Sequence, residues 1–379
     1  MSTPSPSYPE LAAARSRVAQ LDVEIEQLRS SLEARLVERD QCRNVLTRYK
    51  YPILTLPAEI TSEIFIQFLP THLKFTPLIG PYSPAFLLQI CHQWRDIALG
   101  TPALWSSIQV DFYDRRMSLH NQKLERLELW LRRSGNCPLS IQISDAPLDT
   151  ETASIPSTKF VEAIMRQALR LQHVEIEVPY EGLRGLTGSM PMLRSVLVGP
   201  SDTMPPDTTP SQTAVPVFML APNLKKVVLS TIFNPFTITL PWSQLTTLTA
   251  ELYIPQAIYV LCQTTALETC KLTIYGYDDP GTAHPVASPL HLRSLSLYWG
   301  DGRPDDSLVA LVNALTLPAL DSLVVSEYLL GPDPVAAVSR LRPQGYPRSM
   351  EIFDARLSPE VYQQAFPDAV LNVESLEDD

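Results

Sequence analysis

The residues of this sequence best suited to hold a metal or attack a substrate are six histidines and five cysteines. A protein zinc site needs such ligands at short, repeated spacings. His72, His92, His120, His173, His284 and His291 are scattered, and no two cysteines have Cys-x-x-Cys spacing. Cys91 and His92 are adjacent, but neighbours on a helix point about 100° apart and do not converge. Cys262 and Cys270 lie eight apart, and Cys270 falls at an inward strand position, which suits a buried, inert thiol. The pairs Asp278-Asp279 and Asp305-Asp306 sit in Gly- and Pro-rich text, where turn chemistry explains them without a metal. The glycine-rich phosphate loops, His-Glu-x-x-His and Gly-x-Ser-x-Gly are all missing from the sequence. The expectation is a protein with no catalytic residues, no metal and no cofactor.

Composition points the same way. The 379 residues contain 35 Pro and 13 Gly, which disfavours folds built on glycine-rich loops. Hydrophobic residues make up 45% and charged residues 19%, so the bulk can bury a core. The net charge is -11; from Met350 onward eight acidic residues stand against Arg356 alone, giving -7 and leaving -4 for the remainder. A near-neutral body with an acidic tail has no basic footprint for nucleic acid. No apolar run approaches the roughly 18 residues of a membrane span. The first ten residues, MSTPSPSYPE, lack the regions of a secretory signal. An odd number of widely spaced cysteines fits reduced thiols, and hence the cytoplasm or nucleus.

The elements that would position a binding surface can be read in order. Residues 1–9 are Ser/Thr/Pro-rich and read as disordered. Residues 10–50 contain no Pro or Gly, and a heptad seam runs through them. Leu11, Val18, Ile25 and Leu32 take the a positions, and Ala14, Leu21 and Leu28 the d positions. In a parallel pair Arg17 would face Asp22 of a second copy and Glu24 would face Arg29, both opposite in charge. Arg35 and Arg39 then interrupt the seam, so a homodimer through 11–32 and a single amphipathic helix both remain open. Residues 106–136 read as a connecting segment with a helix at 113–133, its apolar face Leu124, Leu127, Trp130 and Leu131.

From 137 to 370 a short motif recurs, with apolar residues at positions 1, 4 and 6. It starts at Leu171, Leu193, Leu224, Leu245, Leu267, Leu292 and Leu320, at intervals averaging close to 25. This resembles the strand signature of leucine-rich repeats, without the asparagine or cysteine that usually follows. The resemblance implies an irregular leucine-rich-repeat-like solenoid; the alternative is an α/β domain with coincidental leucine spacing. Helical returns are expected at 255–265, 305–317 and 333–341, and 371–379 form an acidic tail.

Residues 53–105 are denser in apolar side chains than a small helical unit can hide. Leu56-Pro57 opens a helix with an apolar stripe, and Ser83-Pro84 opens a second. Leu56, Pro57, Glu59, Ile60, Ile64, Phe65 and Phe68 or Leu69, followed by Ile90, Cys91, Trp94, Arg95, Ile97 and Ala98, resemble the two halves of the F-box pattern. The trailing Thr101-Pro102-Ala103-Leu104-Trp105 looks like the continuation found in F-box proteins of mushroom-forming fungi. The match covers about 50 residues, and its 70–85 spacer, with five Pro or Gly residues, is longer than in compact F-boxes and would lift the two helices apart. The resemblance implies a helical F-box that binds the Skp-type adaptor, and through it the cullin, of a ubiquitin ligase. Leu56, Pro57, Ile60, Ile64, Phe65 and Trp94 would fill that contact.

The implied architecture is α+β or α/β: a coiled-coil-like helix, a helical F-box and a repeat solenoid. A protein target would bind the alternating outward positions of the repeat strands, with Glu175, Lys226, Thr249, Lys271, Ser296 and Tyr298 the leading candidates. No arginine cluster there suggests phosphate recognition. The rival readings are a coiled-coil and repeat scaffold without a ligase, and an enzyme hidden in 137–379.

Overall fold

The computed structural model describes residues 7–48, 52–69, 75–80, 82–111, 117–144, 155–200, 215–232, 234–276, 285–300 and 309–375. His72, His284, both Asp pairs and residues 376–379 of the acidic tail lie outside them, while 371–375 belong to a strand and not to a frayed tail. The chain divides into two units, residues 1–63 and 64–379.

The first unit is dominated by α1, Tyr8–Arg48. At its start the Glu10 carboxylate accepts both the backbone N–H and the hydroxyl of Ser7, at 2.7 and 2.9 Å. Those two donors hold the Glu10 carboxyl below its ordinary range. Ser7, Tyr8 and Pro9 therefore belong to a helix start and not to a disordered lead. Every described side chain along this helix is exposed. A short 3-10 turn, Pro52–Thr55, leads to α2, Ala58–Phe68, which crosses into the second unit.

The second unit is built on an eleven-stranded sheet. Its strands, in chain order, are β1 Ser107–Asp111, β2 Leu139–Ser144, β3 Leu171–Val178 and β4 Ser195–Pro200. The two-residue β5, Val215–Pro216, pairs only with β7, Ile238–Thr239, on either side of β6, Lys226–Ile232. Next come β8 Thr247–Tyr253, β9 Thr269–Tyr275 and β10 Ser294–Trp299. β11 Ser322–Ser326, β12 Ser349–Ala355 and β13 Val370–Ser375 complete the set. With β5 and β7 apart, spatial order follows chain order, and every adjacent pair is parallel.

The connections carry α3 His92–Leu99, α4 Met117–Arg133, α5 Ile155–Met165, α6 Tyr180–Leu183 and α7 Ile254–Gln263. α8 Val309–Asn313, α9 Pro334–Leu341 and α10 Pro359–Ala365 follow. Others are irregular. Parallel strands need crossovers, and each crossover here returns the chain one place along the same sheet.

This overturns the expected repeat solenoid. The architecture is α/β, one continuous parallel sheet packed with helices. The leucine motifs mark seven of its strands, but the sheet begins at Ser107, ahead of the first motif, and ends at Ser375, beyond the last. What binds the unit together is a ladder from strand to strand and a single apolar cluster. The first leucine of each motif is buried, from Leu171 and Leu193 to Leu292 and Leu320. Just after it, backbone bonds begin the ladder before the strands proper: Lys225 N–H donates to Arg194 O at 3.0 Å and Arg293 N–H to Glu268 O at 2.9 Å.

Within the strands, side chains alternate between two faces. One face is a set of in-register apolar rows, for example Ile108, Ile141, Val174, Val196, Val227 and Leu248, continuing through Cys270, Leu295 and Leu323 to Met350. All of these are buried. The helices contribute Trp130, Phe160, Ile164, Ile258, Leu311, Val338 and Tyr362 to the same core. Burial pushes the Cys270 thiol up to about 12, so it stays protonated at neutral pH.

Candidate functional site

Residues 53–105 form two faces with different fates. On α2, Thr61 and Phe65 share one side and are buried, Phe65 to 1% exposure. About 100° round the helix from them, Ile60, Ile64 and Phe68 follow at intervals of four and are 51%, 40% and 51% exposed. Leu56 is half-buried and Pro57 exposed.

The expected second helix is broken in two. Ser83 caps a 3-10 turn, Pro84–Gln89, its hydroxyl accepting the Ala85 N–H at 3.2 Å. The chain then extends at Cys91, whose Sγ accepts the Trp94 N–H at 3.5 Å and starts α3. Arg95 Nε donates back to Leu88 O at 2.9 Å and ties the two pieces together. Phe86 and Ile90 remain exposed on them.

The expectation that Phe65 and Trp94 are held for another molecule is corrected. Their rings meet edge-on, with centroids 4.9 Å apart. Trp94 is half-buried against the core, and its buried indole N–H has no acceptor among the described residues. The two helices are not lifted apart; in the described part of the spacer Phe75 and Leu78 are buried, and Gln109 of β1 donates its N–H to Thr76 O at 2.8 Å. Leu104 and Trp105 are core residues, with Trp105 Nε1 donating to Ala98 O at 2.9 Å. Phe65→Ala is therefore expected to cost about 3–5 kcal/mol of stability in equilibrium unfolding. Ile64→Ala, on the outer side, should cost less than about 1 kcal/mol.

The second candidate surface is the outer face of the sheet. All-parallel sheets are normally covered on both faces and read as continuous apolar runs. Here the strands alternate, and the face opposite the core is polar and part-exposed. One row crosses all eleven strands: Gln109, Gln142, Glu175, Leu197, Val228, Thr249, Lys271, Ser296, Val324, Glu351 and Asn372.

That register separates the expected target-binding residues. Lys271 and Ser296 are direct neighbours, and Thr249 stands beside Lys271. Lys271 Nζ lies 4.7 Å above the Tyr298 ring. Lys226 belongs to a different row, between Ser195 and Thr247, three strands from Tyr298's own. Glu175 is corrected: it is only 9% exposed and accepts Gln142 Nε2 at 3.1 Å, so it braces the sheet. Two strands away from Tyr298, Phe353 stacks on its ring at 5.3 Å and 25°, across the small Ser326 of β11. Ser326 Oγ donates to Asp354 Oδ2 at 2.7 Å, where a bulge turns Asp354 into the left-handed region. Tyr275 donates its hydroxyl to Glu251 at 3.2 Å and meets Tyr253 edge-on.

The leucine motif does not extend to Phe353, because β12 enters as Pro347-Arg348-Ser349-Met350. Tyr253 and Tyr275 were in reach of it, as the next outward positions after Glu251 and Thr273.

His173 Nδ1 and Ser195 Oγ are 2.6 Å apart on neighbouring strands, which pair in register with the strands beside them. A recess of about 430 Å3 is lined by Pro191, Met192, Arg194, Asn223 and Lys225, and pairs two cations with no nucleophile. Among the described residues no group of three or more His, Cys, Asp or Glu side chains could hold a metal. No described helix is long and apolar enough to cross a membrane. A scan against protein-family models found no match to this sequence, and a search of curated proteins found none.

Proposed function

We propose that this chain is a substrate-recruiting adaptor of a Skp–cullin–F-box ubiquitin ligase. Residues 53–105 anchor the Skp-type adaptor, and the outer face of the sheet holds a protein target. The chain itself transfers nothing; it raises the effective concentration of target near ligase. Its working compartment is the cytoplasm or nucleus. The observation that carries this reading is the apolar stripe of Ile60, Ile64 and Phe68, exposed on one side of a helix whose other side is already packed. Three large apolar side chains in line on eleven residues suit an anchor for a second protein. The contact set of this proposal is Leu56, Pro57, Ile60, Ile64 and Phe68, with Phe65 and Trp94 supporting it from behind.

Co-elution of the intact chain with a Skp-type adaptor in size-exclusion chromatography tests it. Wild type should form a complex at micromolar concentration, and Ile64→Asp and Phe68→Asp should abolish it while retaining the wild-type unfolding transition. Phe65→Asp is unsuitable, because it strikes the core. No complex with wild type, or complexes indifferent to both substitutions, would reject the ligase.

A second reading is favoured by α1, whose heptad seam is uncovered. Two copies joined through 11–32 would make a scaffold with or without a ligase, and the same co-elution separates the two.

A further inference from the structure

The outward strand positions differ in charge from the chain as a whole. They carry six carboxylates, Asp111, Glu175, Glu177, Glu251, Glu351 and Glu374, against two ammonium groups, Lys226 and Lys271. The whole sequence has 41 acidic to 30 basic residues, so the face is far more one-sided. Some of its carboxylates are used internally. Lys123 binds Asp111 at 2.9 Å, and Ser230 reaches over Gly199, where any Cβ would collide with it, to donate to Glu177.

Between β8 and β12 the carboxylates are interleaved with rings. Tyr253, Tyr275, Tyr298 and Phe353 share this stretch with Glu251, Glu351 and Asp354. Five adjacent strands span roughly 19 Å, enough for about six residues of extended peptide. The face already shows what it accepts, since Lys271 parks its ammonium over Tyr298. A guanidinium fits better still, stacking flat on rings and bonding carboxylates with two N–H groups at once.

We propose that the outer face of β8–β12 docks an extended, arginine-bearing segment of a protein target. This rests on the reading of that face as the target-binding side. Charge complementarity draws the segment in, and Tyr298–Phe353 and Tyr275 receive its side chains.

The full chain is titrated against two labelled short peptides, one alternating arginine with serine and one alternating glutamate with serine, and fluorescence anisotropy is read. Binding of the arginine peptide alone is expected. Glu251→Gln with Glu351→Gln should weaken it by about tenfold, and Tyr298→Leu by about threefold. Glu33→Gln with Glu38→Gln on α1 removes equal charge elsewhere and should change it less than twofold. Equal loss in the two double variants would reduce the binding to general charge attraction and overturn the site. Glutamate-peptide binding that Tyr298→Leu weakens would overturn the basic occupant while leaving the face as a target site. Failure of the Skp-type adaptor to co-elute would remove the ligase and leave this result standing.

Discussion

Glu327→Ala is expected to destabilise the sheet unit by about 4 kcal/mol in equilibrium urea unfolding, a large share of the ~5–15 kcal/mol that typical domains possess. Glu327 is fully buried at the exit of β11. Its Oε2 accepts the Arg356 N–H at 2.9 Å, the Leu357 N–H at 3.3 Å and the Tyr362 hydroxyl at 2.8 Å. Its Oε1 accepts Arg356 Nε at 3.0 Å. One side chain thus ties the exits of β11 and β12 to α10. With the carboxylate gone, the partly exposed Arg356 can turn to water, but the Tyr362 hydroxyl is buried and cannot. Each orphaned buried donor costs about 1–3 kcal/mol. Tyr362→Phe removes one donor and leaves the carboxylate its other three, so about 1 kcal/mol is expected. Equal costs for the two substitutions would show that the Tyr362 hydroxyl bond carries the whole loss and the three bonds from Arg356 and Leu357 carry none of it.

The same cluster gives a pH dependence. Burial, and then the adjacent Glu327 carboxylate, push the Tyr362 phenol well above its ordinary value of 10.0. The folded state keeps this proton where the unfolded chain has lost it. The contribution is therefore whole below pH 10 and declines as the pH rises beyond it. Tyr362→Phe should flatten that alkaline decline.

These cases show what kind of information the sequence holds. The leucine motifs located strands because alternation is local: Leu245-Thr-Thr-Leu248-Thr-Ala250 states which side chains go inward. They did not state how strands connect into a whole, and a period near 25 suggested a solenoid where the chain builds one continuous α/β sheet. β1, β2, β12 and β13 lie outside the pattern altogether, and Phe353 with them. In 53–105 the apolar residues were visible, but their partition was not. Phe65 and Ile64 are neighbours of similar character, and only the phase of α2 against its surroundings sends one inward and leaves the other out. Glu175 and Glu327 were illegible for a related reason, since a carboxylate is buried only where donors from distant strands meet it.

The exposed helix α1 leads to the second large effect. Its large a and d residues, Leu11, Val18, Leu21, Ile25, Leu28 and Leu32, are all exposed along about 32 Å of its axis. A helix of this length gains little from propensity alone and is stabilised chiefly by covering such a seam. Under the proposed pairing through 11–32, full-length protein sediments as a dimer at micromolar concentration. Ile25→Asp with Leu28→Asp replaces four buried apolar side chains, two per copy, and sets charges at the seam, a loss of at least about 6 kcal/mol or over ten-thousandfold in dissociation constant. The protein should then sediment as a monomer. Direction is read separately. In a parallel pair Glu24 faces Arg29 of the other copy, so Glu24→Arg alone should weaken the dimer, and adding Arg29→Glu should restore it. In an antiparallel pair these two positions never meet, and the second substitution would rescue nothing. Wild-type protein that sediments as a monomer throughout this range would return α1 to being a single amphipathic helix.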